Sequence, residues 1–286
     1  MTPHDFEFLR RLLKERSGLV VSAEKDYLLE SRLVPLARRH GLNSLAELTM
    51  RLRQPGTTAL AIAVTEAMTT NETFFFRDRV PFDHLRDTVM PALVAARARE
   101  KRIRIWCTAA ASGQEPYSIA MLLKAMAPQL AGYRVDILAT DLSGEVIDRA
   151  KAGLYSQFEV QRGLPIQLLV KHFSKRDDMW EIAADLRAMV QFRTLNLLND
   201  FSPLGAFDIV FCRNVLIYFD QPTKTNVLDR LARQMADDGY LMLGAAETVV
   251  GLTDRFLPVP DKRGLYAPNS AAFALPANVT RFSAKA

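Results

Sequence analysis

From about residue 101 onward, short apolar runs rich in branched side chains alternate with stretches of helical periodicity, and few folds accept that rhythm. The runs are Ile103–Cys107, Val135–Ala139, Met189–Phe192, Phe207–Cys212 and Tyr240–Gly244. Strands separated by helices at this spacing predict a parallel α/β sheet with cover on both faces. One connection stands out, because about thirty residues before Met189 are too many for a bare loop. A small inserted subdomain, a short antiparallel ribbon, is expected near 153–190.

The first 70 residues follow a different rule. Phe6, Phe8, Leu9, Leu12 and Leu13 repeat at helical spacing until Ser17-Gly18 stops them. A second helix is expected from about Ser22 to Arg39, bent at Pro35 and closed at His40-Gly41. Ser44, with Glu47 at capping-box spacing, opens a third, and Pro55-Gly56 ends it before a fourth from Thr57. Residues 71–100 read as a linker and a helix from Pro81 to Glu100 that contains Pro91. The α/β domain then spans 101–268, and an Ala/Pro/Asn/Ser-rich flexible tail spans 269–286.

Charge narrows the partners. A net charge of +5 and a pI near 9.3 point to an anionic partner. The excess is local: five arginines lie between Arg32 and Arg53, against the single acid Glu47. No Phe, Tyr or Trp interrupts that stretch, which argues against nucleic acid, since stacking aromatics normally accompany such binding. No apolar run reaches the roughly 18–20 residues of a membrane span, so no membrane insertion is expected. The charged N-terminus lacks a secretion signal, and Cys107 and Cys212 read as free core thiols, so a cytoplasmic protein is expected.

In an open α/β sheet, ligands bind beyond the carboxyl ends of the strands, so those ends are read together. The first is Thr108-Ala109-Ala110-Ala111-Ser112-Gly113-Gln114-Glu115-Pro116, small residues that let a ligand approach the backbone, without the GxGxxG of a dinucleotide site. The second ends in Asp141, suited to a ribose diol and equally to capping the next helix. The third ends in Asn196-Leu197, and the fourth in Arg213-Asn214 followed by Tyr218.

These segments resemble the chemotaxis receptor glutamate methyltransferases of the CheR family. The matching residues are Thr69-Thr70-Asn71-Glu72-Thr73-Phe74-Phe75-Phe76-Arg77, Ser112 to Ser118, Ala139-Thr140-Asp141, and Phe211 to Phe219, in the family's order and spacing. The resemblance implies a Rossmann-like methyltransferase sheet with a small inserted antiparallel subdomain, preceded by an all-α N-terminal domain. It implies S-adenosylmethionine as cofactor, S-adenosylhomocysteine as product, and glutamate side chains of a chemoreceptor as acceptors. Asn71, Thr73 and Arg77 would face the cofactor from the linker. Glu115 would hold its amino group, Asp141 the ribose, Asn196 and Leu197 the adenine, and Arg213 and Asn214 the region near the sulfonium. Arg77 and Tyr218 would orient the acceptor, and none of these roles calls for a metal.

The resemblance also assigns Arg32 and Arg38 to the acidic helices of the receptor's cytoplasmic bundle. The alternative is a solvated arginine face. Some relatives dock a C-terminal receptor tether on a Gly-containing loop of the inserted subdomain. Here Ser174 to Trp180 is short and has no Gly, so no such pentapeptide tether is expected to bind. The protein is expected to act as a monomer. Two rivals remain open on sequence alone: a methyltransferase for RNA or a small molecule, and a non-catalytic cofactor sensor.

Overall fold

Four helices form the N-terminal unit of the computed structural model, which describes residues 2–273. Helix α1 (Pro3–Ser17) starts from a reciprocal cap between Thr2 and Asp5 and stops at Gly18, whose φ of 76° is left-handed. The expected second helix begins with a tight turn at Ala23–Lys25 and continues as α2 (Asp26–Arg39), with Pro35 kept inside it. Helices α3 (Leu45–Leu52) and α4 (Thr58–Met68) follow. Leu9 and Leu13 of α1, Leu29 and Leu33 of α2, Leu48 of α3 and Val64 of α4 bury their apolar stripes in one core. The α3 cap differs from expectation. Ser44 accepts the Glu47 N–H at 3.1 Å, but the Glu47 carboxylate accepts the N–H of Asn43, one residue early, at 2.8 Å.

The helix expected over 81–100 is shorter and internally changed. It runs as α5 (Val80–His84), a π-helical turn (Leu85–Val89) and α6 (Met90–Ala96). Pro91 offers no N–H to the preceding turn and its ring crowds that turn's carbonyls. The wider turn just before it absorbs the misfit without a break.

The large sheet contains β1 (Arg102–Cys107), β2 (Arg134–Asp141), β6 (Val190–Thr194), β7 (Phe207–Cys212) and β8 (Met235–Leu243), all parallel in the order β6-β2-β1-β7-β8. Helices α7 (Gln114–Ala125), α8 (Gly144–Ala152) and α12 (Gln221–Arg233) connect them, and separate apolar cores pack on the two faces. Cys107 and Cys212 are buried free thiols. The expected all-parallel sheet is extended at one edge, where β10 (Leu265–Pro268) pairs antiparallel with β8 and β9 (Phe256–Pro258) pairs antiparallel with β10. Both are short and proline-bearing, which reads as loop in sequence.

The inserted ribbon is a three-stranded sheet. Strands β4 (Phe173–Arg176) and β5 (Met179–Ile182) form the expected hairpin, and β3 (Leu154–Ser156) pairs with the other edge of β5. Short helices α9 (Gln157–Gln161), α10 (Ile166–His172) and α11 (Ala184–Arg187) complete the insertion. Asp177 turns the hairpin in a left-handed conformation without a glycine. Of the tail expected over 269–286, the first residues form a tight helical turn at Ser270–Phe273, and the rest lies outside the described residues. Among the described residues no helix is long and apolar enough to cross a membrane.

The end of α1 docks on the sheet domain. Lys14 pairs with Asp220 at 2.7 Å, the Val20 N–H donates to the Tyr218 carbonyl at 2.9 Å, and Glu66 of α4 accepts the Gly144 N–H at 2.6 Å. Asp220 also caps α12 by accepting the Thr223 N–H. Lys14 and Thr223 hold its carboxyl down at about 2, against an ordinary 3.8. A depressed folded-state pKa adds stability above the ordinary value that is lost as pH falls through the folded one. Asp220→Ala should therefore cost about 1 kcal/mol at neutral pH, as a lost cap does. Denaturant titrations should show the gap between variant and parent narrowing as pH is lowered from 3.8 toward 2.

Candidate active site

Strand order reverses between β1 and β7, and the cleft beyond their carboxyl ends is the place such a sheet offers a ligand. The cleft encloses about 930 Å³, open solvent at its mouth included. Its walls come from the linker, the strand ends and the last turn of α1. Asn71, Thr73, Arg77, Glu115, Asp141, Asn196, Leu197, Arg213, Asn214 and Tyr218 all line it. Arg32 and Arg38 lie elsewhere: Arg32 is half-buried against the start of the linker, and Arg38 is exposed on α2.

The turn after β1 must be made of small residues. Gly113, at φ 92°, heads α7, and a Cβ there would sit 2.9 Å from the Ala150 methyl and 3.2 Å from the Tyr155 hydroxyl. Ala111 is also left-handed, and its N–H donates to Asp141 Oδ2 at 2.8 Å. Asp141 Oδ1 accepts the Ser143 N–H at 3.1 Å, so this carboxylate ties two strand ends together while Ser143 itself caps α8. Burial raises the Asp141 pKa, and the N–H donors of Ser143, Ala111 and Leu142 oppose the rise.

Beside it, Arg213 is almost wholly buried, its side chain 2% exposed. Nη1 donates to Glu115 Oε2 at 2.6 Å, and Nη2 donates to Asp78 Oδ2 at 2.7 Å and to the Arg77 carbonyl at 2.8 Å. Burial pushes the Glu115 carboxyl upward, with Arg213 and the Cys107 thiol pulling the other way. The linker that receives Arg213 is unusual, since Phe76, Asp78 and Arg79 all have positive φ. Such conformations persist only where surroundings hold them. Here Arg213 grips one side, and Ser118 Oγ accepts the Phe76 N–H at 3.0 Å on the other. The Arg77 and Arg162 guanidinium groups both lie over the Phe74 ring, and Arg162 pairs with Glu72 at 2.6 Å.

Asn196 lines the cleft, but its amide is committed to other partners. Nδ2 donates to the Arg16 carbonyl at 2.5 Å, and Oδ1 accepts the Leu198 N–H at 2.9 Å. With Leu19, Leu142, Leu195 and Leu197 it forms an apolar wall closed by the N-terminal unit. Ser17 reads in sequence only as part of a helix stop and Leu19 carries no signal, so nothing in sequence marks them as cleft residues. Glu247 is a second omission. Its Oε2 accepts the N–H groups of Asn214 (2.7 Å) and Gly244 (2.8 Å), and Oε1 those of Val215 (3.0 Å) and Leu216 (2.8 Å). This carboxylate holds Asn214 at φ 58° and sets the turn that leads to Tyr218. The available signal was an acid just beyond a strand end, the position that drew attention to Asp141.

The family profile described as CheR methyltransferase, SAM binding domain, matches residues 71–265, and that described as CheR methyltransferase, all-alpha domain, matches residues 4–69. The chain belongs to the CheR methyltransferase family. It is 42% identical over 266 residues to Chemotaxis protein methyltransferase 1 of Pseudomonas aeruginosa, covering 91% of this chain and 96% of that one. It is 39% identical over 265 residues to Chemotaxis protein methyltransferase Cher2 of Pseudomonas putida, covering 91% and 96%. It is 40% identical over 249 residues to Chemotaxis protein methyltransferase 1 of Vibrio cholerae, covering 86% and 90%.

The cofactor of this CheR methyltransferase is S-adenosylmethionine, and the cleft fits it. A buried carboxylate with lone pairs to spare (Asp141), an apolar wall and a backbone turn of alanines match a ribose, a base and a close-approaching chain. Arg213 Nε is buried without a partner, a donor left for a ligand at the cleft.

Glu247→Gln keeps the side chain's shape but turns amide donors toward N–H groups that need an acceptor. Methyl-transfer kcat should fall about a hundredfold, the scale of a small misplacement of reacting groups. Paired measurement of S-adenosylhomocysteine affinity should show a much smaller change, because Glu115 and Asp141 are held independently of Glu247.

Proposed function

We propose that this protein transfers the methyl group of S-adenosylmethionine to glutamate side-chain carboxylates of a chemoreceptor, yielding the methyl ester and S-adenosylhomocysteine. The observation that carries the acceptor class is the state of the ionisable groups in the cleft. They are Glu72, Arg77, Glu115, Asp141, Arg213 and Tyr218. Each acid is already engaged: Glu72 with Arg162, Glu115 with Arg213, and Asp141 with two backbone N–H groups. A hydroxyl or amine acceptor would call for a base to take its proton. A glutamate, with a reference pKa of about 4.3, arrives ionised and needs none.

When bound, the cofactor supplies an electrophilic methyl on a sulfonium. The chain's own residues then bind, orient and exclude water. Glu115 accepts hydrogen bonds from the cofactor's amino group, and Asp141 from the ribose hydroxyls. Asn71 and Thr73 close the linker side, Asn196 and Leu197 flank the adenine, and Arg213 and Asn214 line the reacting end. Arg77 and Tyr218 orient the incoming carboxylate. Arg77 donates to the Glu72 carbonyl at 2.7 Å and stacks on Phe74, which limits its swing. Retention of charge on the acceptor until attack favours positioning over proton transfer, so neither residue acts as a base.

Incubation with radiolabelled S-adenosylmethionine and receptor fragments should give label that alkali releases as methanol. Label that is stable to alkali, or that appears on RNA instead, would sink the reading. Tyr218→Phe should keep measurable turnover, with a pH profile unchanged in shape. Total loss that high pH restores would make Tyr218 a base after all.

The acceptor is read as the cytoplasmic helical bundle of a receptor, approached by a monomer in the cytoplasm. Arg38, exposed on α2 with no side-chain hydrogen bond or ion pair among the described residues, supports a docking role for that helix. The hairpin over 174–180 turns tightly at Asp177, without the glycine-bearing loop that would receive a tethering peptide. Arg38→Glu should raise the receptor KM severalfold and leave kcat unchanged. Calorimetry with a C-terminal receptor pentapeptide should show no micromolar binding, and a clear isotherm in that range would reverse the view.

A further inference from the structure

The guanidinium of Arg32 is bonded within the chain. Nη1 donates to the carbonyls of Met68 at 2.8 Å and Thr69 at 2.9 Å, and Nη2 donates to the Thr70 hydroxyl at 3.1 Å. Met68 is the last residue of α4 and Thr69 is its cap, so these carbonyls belong to a helix end that leaves its own acceptors unsatisfied. A cation there also meets the negative end of the helix dipole. The planar fork serves three neighbouring acceptors together, which a lysine ammonium does less well.

What the fork holds matters for the cleft. Residues 69–74 have no helix or strand of their own. Their order comes from side-chain ties: Arg32 before them, Arg77 and Arg162 on Glu72 within them, and the Phe76 N–H bond to Ser118 after them. The held Thr69 passes that order onward, because its hydroxyl accepts Asn71 Nδ2 at 3.0 Å. Thr69, Thr70, Asn71 and Thr73 all line the cleft.

We propose that Arg32 is a positioning residue for the cofactor cleft, holding the Met68–Thr70 segment so that Asn71 and Thr73 form its wall, and that it is not a receptor-docking contact. The inference rests on the reading of this cleft as the S-adenosylmethionine site. It separates two arginines of one helix that charge alone treats alike, leaving docking to Arg38.

The test needs no receptor. Calorimetry of the full chain with S-adenosylhomocysteine should show Arg32→Ala binding about tenfold more weakly, the scale of one charged hydrogen-bonded tie. Arg32→Lys should lie between, Thr70→Val should weaken binding less than Arg32→Ala, and Arg39→Ala should match the parent. Amide hydrogen exchange over residues 69–73 should quicken in Arg32→Ala without added ligand. Unchanged affinity and unchanged exchange in Arg32→Ala would overturn the proposal. If Arg32→Ala does not fold, parent-like affinity in both Arg32→Lys and Thr70→Val overturns it. Failure of the parent itself to bind would instead strike the cofactor reading, and exchange over 69–73 would still decide what Arg32 holds.

Discussion

One buried guanidinium joins the parts of this enzyme that are far apart in sequence. Arg213 stands at the end of β7, its Glu115 partner in the first turn of α7, and Asp78 and the Arg77 carbonyl in the linker between the units. Removing one member of such a buried pair typically costs about 3–5 kcal/mol, because the remaining charge is left without water or partner. The arrangement therefore makes Glu115, the strand end and the strained linker conditional on one another. It also keeps Glu115 usable, since burial by itself favours the protonated carboxyl, which would lose acceptor capacity.

Backbone donors do comparable work at the other carboxylates. Asp141 takes N–H groups from the ends of two strands, and Glu247 takes four from the turns after β7 and β8. Loops that border a ligand are normally the least ordered parts of a fold. Here carboxylates fasten them, Asp141 from the cleft wall itself and Glu247 from outside the cleft lining. Asn214 shows the division of labour: its left-handed backbone is fixed by Glu247, and its side chain lies at the cleft.

The parallel strands were readable because interior strands are buried on both faces; Phe207 to Cys212 is buried at every position and apolar at all but Asp208. Strand ends then pointed to Glu115, Asp141, Arg213 and Tyr218 through chemistry that needs no long-range knowledge, and the family resemblance supplied the cofactor and the linker residues. Strands β9 and β10 were missed because edge strands tolerate proline and brevity, which erase the periodic signal. The role of α1's last turn was invisible for another reason. Its place against Asn196 and Tyr218 is a contact between residues nearly 200 positions apart, set by docking and by no local pattern. Arg32 shows the same limit in a single side chain: sequence displays a charge, and only packing shows which way it faces.

The wall shared between the two units bears on any attempt to recombine them. Ser17 and Leu19 from the helical unit meet Leu195, Asn196 and Phe219 of the sheet domain across the cleft, and a Cβ on Gly18 would lie 2.9 Å from the Phe219 ring. A recombinant joining the helical unit of one relative to the catalytic half of another thus inherits a hybrid pocket, however cleanly the crossover is placed. Cofactor affinity would then depend on side chains from both halves of such a graft. A working pocket therefore requires side chains on the two sides of that seam that match.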